Sequence, residues 1–454
     1  MTGDIKSRIR QRLNLKNNRI FCVGAGGVGV SALAELLVQA GCQIYGSDMT
    51  CNSYCRHLES LGVKIAPAGH RAENVPPLKF DALIATGAVD FSNPEIALLL
   101  ARDGVTPLWR GEALGELICC FERGVAVAGS HGKSSVTAML SWILHKHNID
   151  SGVLIGASYA DDSPRVLMGN GDILVTEADE NDRGLTMLQG ELALITNIDG
   201  DHAWTAEALE EQERDFRTFS RQFRHTICID SPNTRRVLEA YPGIDYLGGA
   251  RLAELDAMVP ERFVDYERSN VALAIAGAEY LGVPAALAAQ YIESYPGIKR
   301  RQCLLYSSEQ IMLWEDYAHH PAELAGSLRV LAKRAGSRRQ VVVFEPHRYE
   351  RLSKYFDEFV NILSDPELDV RVMDLFAAWK MAGVDAVSSN DLAAAVNRNG
   401  GHAQLLSGRN YPVMADQLLA ELLADGCARQ VALIGAGNVH TLAAEMTDLL
   451  KNNA

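Results

Sequence analysis

The tightest constraint on this chain is the stretch Gly124-Val-Ala-Val-Ala-Gly-Ser-His-Gly-Lys-Ser-Ser-Val-Thr-Ala-Met-Leu140. The apolar run Val125 to Ala128 predicts a short buried strand, and a helix is expected over about Ser134 to His147. Between them Gly129, Ser130, His131 and Gly132 form a tight turn that places Lys133, Ser134 and Ser135 at the helix start. Such a turn aims backbone N–H groups and the positive end of the helix dipole at one point, which suits a phosphate. Lys133 supplies a mobile charge for the outer phosphates and Ser134 a hydroxyl for Mg²⁺. The general phosphate-loop pattern has glycine five positions before Gly132, where this chain has Val127, so the loop is shorter at that end. An ordinary strand-to-helix turn does not need Gly-Lys-Ser-Ser behind four apolar residues, and phosphate binding is the stronger reading.

A second glycine turn lies upstream. The strand Arg19 to Val23 leads into Gly24-Ala-Gly26-Gly27-Val-Gly29, a helix from Ser31 to Gln39, and a strand Gln43 to Tyr45 that ends at Ser47-Asp48. This is G-x-G-x-x-G in its strand–turn–helix setting with an acid after the next strand. It predicts a phosphate-binding βαβ unit without saying which nucleotide is held. Strands at Val63–Ile65, Ala82–Ala85 and Val105–Pro107 alternate with helices such as Cys55–Leu61 and Asn93–Asp103, as in a doubly wound parallel sheet.

Beyond the phosphate loop, the strand Asp172–Thr176 delivers Glu177-Ala-Asp-Glu180, and the strand Leu192–Thr196 delivers Asn197-Ile-Asp-Gly-Asp201-His202. Strand ends of a parallel sheet gather at one crevice, so Glu177 and His202 are expected beside the loop as Mg²⁺ ligands with Ser134. Asp179, Glu180 and Asp182 read as solvated strand-end charges. A helix from Val271 to Leu281 closes this unit. A third unit opens at Lys299-Arg300-Arg301, and its strands Ile311–Trp314, Gln340–Phe344, Val370–Met373 and Gln430–Ile434 again end in polar residues. Asp316-Tyr317-Ala-His319-His320-Pro321 and Glu345-Pro-His347-Arg348-Tyr-Glu-Arg351 put three histidines and two arginines at two strand ends, a set suited to an anionic substrate.

Length alone, 454 residues, suggests roughly three domains. Boundaries are expected near 122 and 299, giving three α/β units. A net charge of −14 argues against a nucleic-acid surface, while local basic clusters still allow an anionic small molecule. No apolar run is long enough to span a membrane, and the polar Met1 to Lys16 has no secretory core. Nine scattered cysteines suit reduced thiols in a cytoplasm. Cys51, Cys55 and His57 are spaced loosely like metal ligands, but no second cluster completes a site, and they read as structural.

Set in this order, the phosphate loop, the Glu177 strand end, Asp201-His202, the Asp316–Pro321 turn and Pro346-His347-Arg348 resemble the Mur ligases over nearly the whole chain. The resemblance implies three domains: an N-terminal Rossmann-like domain for a UDP-sugar, a central mixed-sheet P-loop domain for ATP and Mg²⁺, and a C-terminal Rossmann-like domain that closes over both. It implies an ATP-dependent ligase that joins an amino acid, L-alanine, to the carboxylate of UDP-N-acetylmuramate through an acyl phosphate in peptidoglycan precursor synthesis. It also implies roles residue by residue. Gly24, Gly26, Gly27, Gly29, Ser47, Asp48 and His70 would hold the UDP-sugar; Gly129 to Ser135, Asn270, Arg301 (or Arg300) and Asp316 would hold ATP. Tyr317, His319, His347, Arg348 and Arg351 would meet the sugar acid and the amino acid, with Lys133, His202, His319, Arg348 and Arg351 as the catalytic set. The expected assembly is a monomer or homodimer.

The chain departs from the family pattern in three places. Ser130-His-Gly-Lys-Ser-Ser135 replaces threonines by serines, Asp201-His-Ala-Trp204 has tryptophan where an acid is usual, and Ser269 stands where a histidine usually precedes Asn270. The segment Gly248 to Arg268 is also short for the family. Three other readings compete: a related ligase that uses a recycled peptide or another sugar acid, an NAD-dependent oxidoreductase resting on Gly24–Gly29 and Asp48, and a nucleotide-binding paralogue without activity. The oxidoreductase reading leaves Lys133 unexplained.

Overall fold

Apolar runs that end in glycine or acid become the strands of three separate sheets. The structure is a computed structural model that describes residues 4–180, 184–200, 205–238, 242–376 and 387–452. The first sheet contains β1 (Arg19–Val23), β2 (Gln43–Ser47), β3 (Lys64–Ile65), β4 (Ala82–Ala85) and β5 (Pro107–Trp109), all parallel, in the order β3-β2-β1-β4-β5. Strand order reverses between β1 and β4, which opens a crevice where the loops after those strands part. Several predicted boundaries move, among them the helix expected over Val271 to Leu281, which runs Tyr266–Tyr280. The last strand starts at Pro107 instead of Val105, because proline has no N–H to donate and is tolerated at a strand's first residue. The helix after the first glycine turn runs Val28–Gln39, with Gly27 at its N-cap.

The second sheet holds β6 (Arg123–Ala128), β7 (Ser151–Leu154), β8 (Val166–Leu167), β9 (Ile173–Glu177), β10 (Gly190–Ile195), β11 (Phe223–Ile229) and β12 (Ile244–Leu247). Their order is β12-β11-β10-β6-β9-β7-β8, parallel except for the β7–β8 pair, so this sheet is mixed. β6 is central, and Val125 to Ala128 are fully buried, as strands covered on both faces require. The third sheet holds β13 (Cys303–Ser307), β14 (Ile311–Asp316), β15 (Arg339–Phe344), β16 (Leu368–Met373), β17 (His402–Leu406) and β18 (Arg429–Ile434). It is ordered β13-β14-β18-β15-β16-β17, and only β13 pairs antiparallel. The fold is therefore α/β, with Rossmann-like first and third sheets and a P-loop-type mixed second sheet.

By compactness the chain divides into two units, Met1–Phe263 with Glu267–Pro296, and Val264–Tyr266 with Gly297–Ala454. The first unit carries two sheets, and hydrogen bonds tie them together. Gln39, on the helix after β1, donates to the Val166 carbonyl (3.1 Å) and accepts from Met168 N–H (2.9 Å). Arg165, only 8% exposed, donates to Ser31 Oγ at 3.2 Å and lies 3.8 Å from Glu35. Among the described residues no helix is long and apolar enough to cross a membrane.

One buried acid organises the C-terminal ends of the first sheet. Glu95 is fully buried; it accepts from Ser47 Oγ (2.7 Å), Asn74 Nδ2 (2.7 Å) and Arg71 N–H (3.3 Å), and its carboxylate meets His70 Nδ1 at 2.8 Å. Removing it strands the buried Ser47 and the half-buried His70 and Asn74 at once. We expect Glu95→Ala to lower unfolding stability by about 3 kcal/mol in a denaturant titration, whereas Glu95→Gln loses less.

Candidate active site

The phosphate loop is shaped by its neighbours in the sheet. β6 lies between β10 and β9, so the ends of those two strands flank Gly129–Ser134. Gly129 (φ +135°) and Gly132 (φ +85°) take backbone conformations that side chains disfavour. The end of β10 holds the loop's outline. Ser130 N–H donates to the Asn197 carbonyl (3.2 Å), His131 N–H to Asn197 Oδ1 (2.9 Å), and Asn197 Nδ2 to the His131 carbonyl (3.0 Å). The Asp199 N–H donates to Ser130 Oγ at 3.0 Å, and His131 Nε2 lies 3.9 Å from the Asp199 carboxylate. The buried Asn270 side chain packs against Gly132, where a β-carbon would lie 2.8 Å from its Oδ1.

The end of β9 supplies the acid. Ser134 Oγ donates to Glu177 Oε2 at 2.9 Å, and Gly156 N–H donates to Oε1 at 2.7 Å. Burial raises the Glu177 pKa, against the pull of these two donors and Lys133. Lys133 folds back over its own turn and donates to the carbonyls of Gly129 (2.6 Å) and Ser130 (3.3 Å). Its Nζ is also 3.9 Å from Glu180, whose side chain is 1% exposed. Glu180 is thus not a solvated charge: it is buried beside the lysine, and sequence periodicity gave no sign of this. Ser135, on the first turn of the helix, is half-buried. His202, Asp201, Trp204 and Asp182 lie outside the described residues.

At the first glycine turn, Gly24 (φ +80°) packs on Thr86, and a β-carbon there would lie 2.4 Å from Thr86 Cγ2. Gly26 N–H donates to Asp48 Oδ2 at 2.8 Å, and Asn52 Nδ2 donates to the Gly26 carbonyl. Asp48 therefore clips the turn shut from the end of β2. Ser47 is fully buried with its hydroxyl given to Glu95, so it braces the crevice. A cavity of about 410 Å³ runs from Gly27, Gly29 and Thr86 to Lys133, Glu177 and Asp179, joining the two glycine turns within this unit. The loosely spaced Cys51, Cys55 and His57 go separate ways: Cys55 donates to the Thr50 carbonyl, His57 meets Glu35, and Cys51 is exposed.

The second unit has its own cluster at the ends of β14, β18 and β15. Asp316, 3% exposed, accepts from Gln302 N–H (2.8 Å), Gln302 Nε2 (3.0 Å) and Ala318 N–H (2.8 Å). Burial raises its pKa, and Arg301 opposes the rise. Arg300 and Arg301 both stand over the Tyr317 ring, at 4.7 and 5.0 Å from its centroid. Arg301 pairs with Glu323 at 3.5 Å, and Arg300 with Glu315 at 3.1 Å and the carbonyls of Gly435 and Gly437. The two histidines of the Asp316–Pro321 turn separate. His320 is buried and caps the helix Pro321–Ala335, while His319 stands edge-on to His347 with ring centroids 5.6 Å apart.

The partners of these two rings set their tautomers. His319 Nδ1 lies 3.0 Å from the Tyr317 carbonyl and 3.1 Å from Glu323, both acceptors, so in the neutral ring Nδ1 carries the proton and Nε2 is left to accept. His347 Nδ1 lies 3.3 Å from Arg351 Nη1, a donor, so Nδ1 accepts and Nε2 carries the hydrogen. Arg351 is 2% exposed, and His347 stacks on Phe376. Burial, with His319, Arg351 and Arg348 nearby, lowers the His347 pKa to about 3. Arg348 sits at φ +68°, ψ 137°, a backbone conformation that strains a side-chain-bearing residue.

Comparison with known proteins identifies the family. A family model described as "Mur ligase family, catalytic domain" matches residues 19–122, ending just before β6. UDP-N-acetylmuramate–L-alanine ligase of Bdellovibrio bacteriovorus is 31% identical over 424 residues, covering 86% of this chain and 91% of that protein. The chain belongs to the Mur ligase family. The enzyme of the same name from Geobacter sp. strain M21 is 32% identical over 85% of this chain and 88% of its own length. Among solved structures, the UDP-N-acetylmuramate-alanine ligase of Thermotoga maritima matches with a TM-score of 0.75 at 20% identity, covering 96% of this chain and all of that one. A murein peptide ligase of Psychrobacter arcticus matches with a TM-score of 0.64 at 19% identity, over 96% and 99% of the two chains. These two likenesses establish the fold.

In this Mur ligase the first unit brings together Gly129–Ser135, Asn270 and Glu177, and its 410 Å³ cavity joins Gly27 and Gly29 to Lys133. The second brings together Arg301, Asp316, Tyr317, His319, His347 and Arg351, with Arg348 beginning the helix that carries Arg351. Sequence reasoning missed Asn197, Glu180, Glu95 and Glu323. Only Glu323 had a readable signal, as the third helical residue after the capping His320.

Two outcomes are expected. Folded His347 titrates near 3 and an unfolded histidine near 6.5, so its neutral form adds stability above 6.5 that is lost as the pH falls toward 3. His347→Gln should lose less stability than wild type over that interval, measured by denaturant midpoints. Arg348→Gly relieves the positive φ and should leave the melting temperature unchanged or higher, while ligase activity falls by about 100-fold or more.

Proposed function

We propose that this Mur ligase is a UDP-N-acetylmuramate–L-alanine ligase of peptidoglycan precursor synthesis. The observation that carries this is the phosphate loop, whose Ser134 hydroxyl meets Glu177 at 2.9 Å beside Lys133, in a chain 31% identical to that enzyme over most of its length. A carboxylate is a poor electrophile, so the reaction first moves the γ-phosphoryl of ATP onto the sugar-acid carboxylate and releases ADP. The amine of L-alanine then attacks the acyl phosphate; the C–N bond forms, the C–O bond to phosphate breaks, and phosphate leaves. Catalysis of this kind is mostly positioning and charge neutralisation.

The residues divide the work. Gly129 to Ser135 cradle the ATP phosphates, and Lys133 leaves its loop carbonyls for the outer phosphates. Asn270, Arg301 and Asp316 complete the nucleotide site; Asp316 already has three of roughly four acceptor positions filled, so it contributes one bond at most. Ser134 and Glu177 would hold Mg²⁺ with His202. The hydroxyl–carboxylate pair is the oxygen donor set that this ion prefers, and the raised pKa of Glu177 marks a buried acid that a cation would stabilise. When bound, the ion would neutralise charge on the transferring phosphoryl. Gly24, Gly26, Gly27 and Gly29 line the UDP diphosphate, Asp48 and His70 set the shape of that crevice, and Ser47 supports it through Glu95. Among Tyr317, His319, His347, Arg348 and Arg351, the arginines take the amino acid's carboxylate. The Nε2 of His319 accepts the proton that the amine gives up.

Phosphate release from ATP, measured with UDP-N-acetylmuramate and single amino acids, tests the reading. L-alanine should stimulate it most, and another amine doing so in its place would refute the assignment. Lys133→Ala should cut ATP turnover by at least about 100-fold while UDP-sugar affinity stays within a few-fold. Equal losses of both in a folded variant would mean that the two glycine turns do not divide the ligands this way.

A further inference from the structure

The first unit contains a cation that the ligase reading leaves without a task. Arg110 follows β5 and is the first residue of the helix Arg110–Ile118. A positive charge there faces the positive end of the helix dipole, so helix stability does not explain it. The helix start is already served by Glu112, whose carboxylate accepts from Trp109 N–H at 3.0 Å. Arg110 instead reaches into the 410 Å³ cavity between the two glycine turns. Its stem packs on Gly29, where a β-carbon would lie 2.7 Å from Arg110 Cδ, so Gly29 provides the room that the arginine occupies. Its guanidinium meets Asp179 at 3.2 Å, just past the end of β9, and its side chain is 16% exposed against 42% for Asp179.

The same cavity is lined by Lys133 and Glu177. Lys133 faces its own loop carbonyls and Glu180, on the phosphate-loop side. Arg110 is the cation held on the side of the first glycine turn. A sugar nucleotide with its diphosphate on Gly24–Gly29 must bring its free carboxylate across this cavity to reach the phosphate loop. We infer that Arg110 binds that carboxylate, and that Asp179 holds the guanidinium in place until the substrate's carboxylate displaces it. The planar fork of an arginine suits a carboxylate oxygen pair, and the partly exposed Asp179 is a partner it can give up. Arg110 is then the residue that selects an acid over a neutral sugar nucleotide. This rests on the proposed ligase activity for the identity of the ligand.

The test is calorimetric binding of UDP-N-acetylmuramate and of its carboxamide, a near-isosteric neutral analogue, to the full chain without ATP or metal. Wild type should prefer the acid by about tenfold or more. Arg110→Ala should bring that preference to within about twofold and leave the carboxamide's affinity nearly unchanged, which also shows that the variant is folded. Arg110→Lys should keep part of the preference, and Asp179→Asn should increase it by removing the competitor. If Arg110→Ala retains the preference, or weakens both ligands equally, the assignment is wrong and the charge comes from elsewhere, such as Lys133. If wild type binds neither ligand, the ligase reading fails and this inference with it.

Discussion

No side chain fits at Gly129. A β-carbon there would lie 2.0 Å from Thr196 Oγ1 and 2.9 Å from the Asn197 carbonyl. That closeness lets the end of β10 grip the turn after β6, through the bonds of Ser130 and His131 to Asn197. Thr196 Oγ1 also donates to the His131 carbonyl at 2.5 Å. With those groups satisfied by the neighbouring strand, the turn cannot relax around its ligand. The N–H groups of Lys133 and Ser134, at the start of the helix Lys133–Lys146, have no acceptor within that helix and are the donors the proposed reading gives to a phosphate. The register of β6 against β10, Ala128 beside Ile195, therefore sets the shape of the proposed nucleotide site.

A buried or half-buried acid at a strand end recurs across the molecule, with different consequences. Glu177, Asp316 and Glu345 are all raised in pKa by burial, and all accept backbone N–H bonds. Glu345 takes the N–H groups of Asn438 and Val439, at 2.9 and 3.1 Å, at the start of the helix Val439–Asn452. The Gly435-Ala-Gly437-Asn438 turn is in this way filled by the protein's own carboxylate. Glu177 differs because one of its oxygens faces a hydroxyl rather than backbone. A hydroxyl can turn toward a cation and phosphate, whereas a backbone clip cannot, so Glu177 is the acid of the three suited to holding a cation.

What could be read in advance follows from burial. Strands covered on both faces, such as β1, β6, β10, β15 and β18, are unbroken apolar runs, and their ends carry the phosphate loop and the histidine clusters. The strands not anticipated were β7, β8, β11, β12, β13 and β17. Most lie toward sheet margins and mix polar residues into short runs, as Cys303–Ser307 and His402–Leu406 do. β11 lies inside its sheet, but Arg224 and His225 interrupt its apolar pattern. Site residues divided along another line. Those with a motif around them, Lys133, Ser134, Glu177, His319 and His347, were legible. Glu95, Glu180, Arg110 and Asn197 were not, because an isolated acid, arginine or asparagine looks the same whether solvated or buried, and only tertiary packing distinguishes them.

The departures from the family pattern can be weighed in the same terms. Serine at position 134 keeps the oxygen that threonine would offer, and that oxygen makes the bond to Glu177, so the change removes a methyl and not a function. The histidine pair shows the opposite principle, that one residue type takes two roles when its neighbours differ. His319 is fixed by Glu323, from the first turn of the helix after β14, and by the Tyr317 carbonyl; both accept, which leaves Nε2 of the neutral ring as the acceptor. His347 is fixed by Arg351, from the short helix after β15, which donates and keeps the ring neutral. The rings are edge-on, 5.6 Å apart. An acceptor and a donor are thereby placed side by side by an acid and a base, each rooted in the helix that follows its histidine's strand. In the proposed reaction an amine must lose a proton while its neighbour is held by hydrogen bonds, and two histidines with the same partner would not supply such a pair.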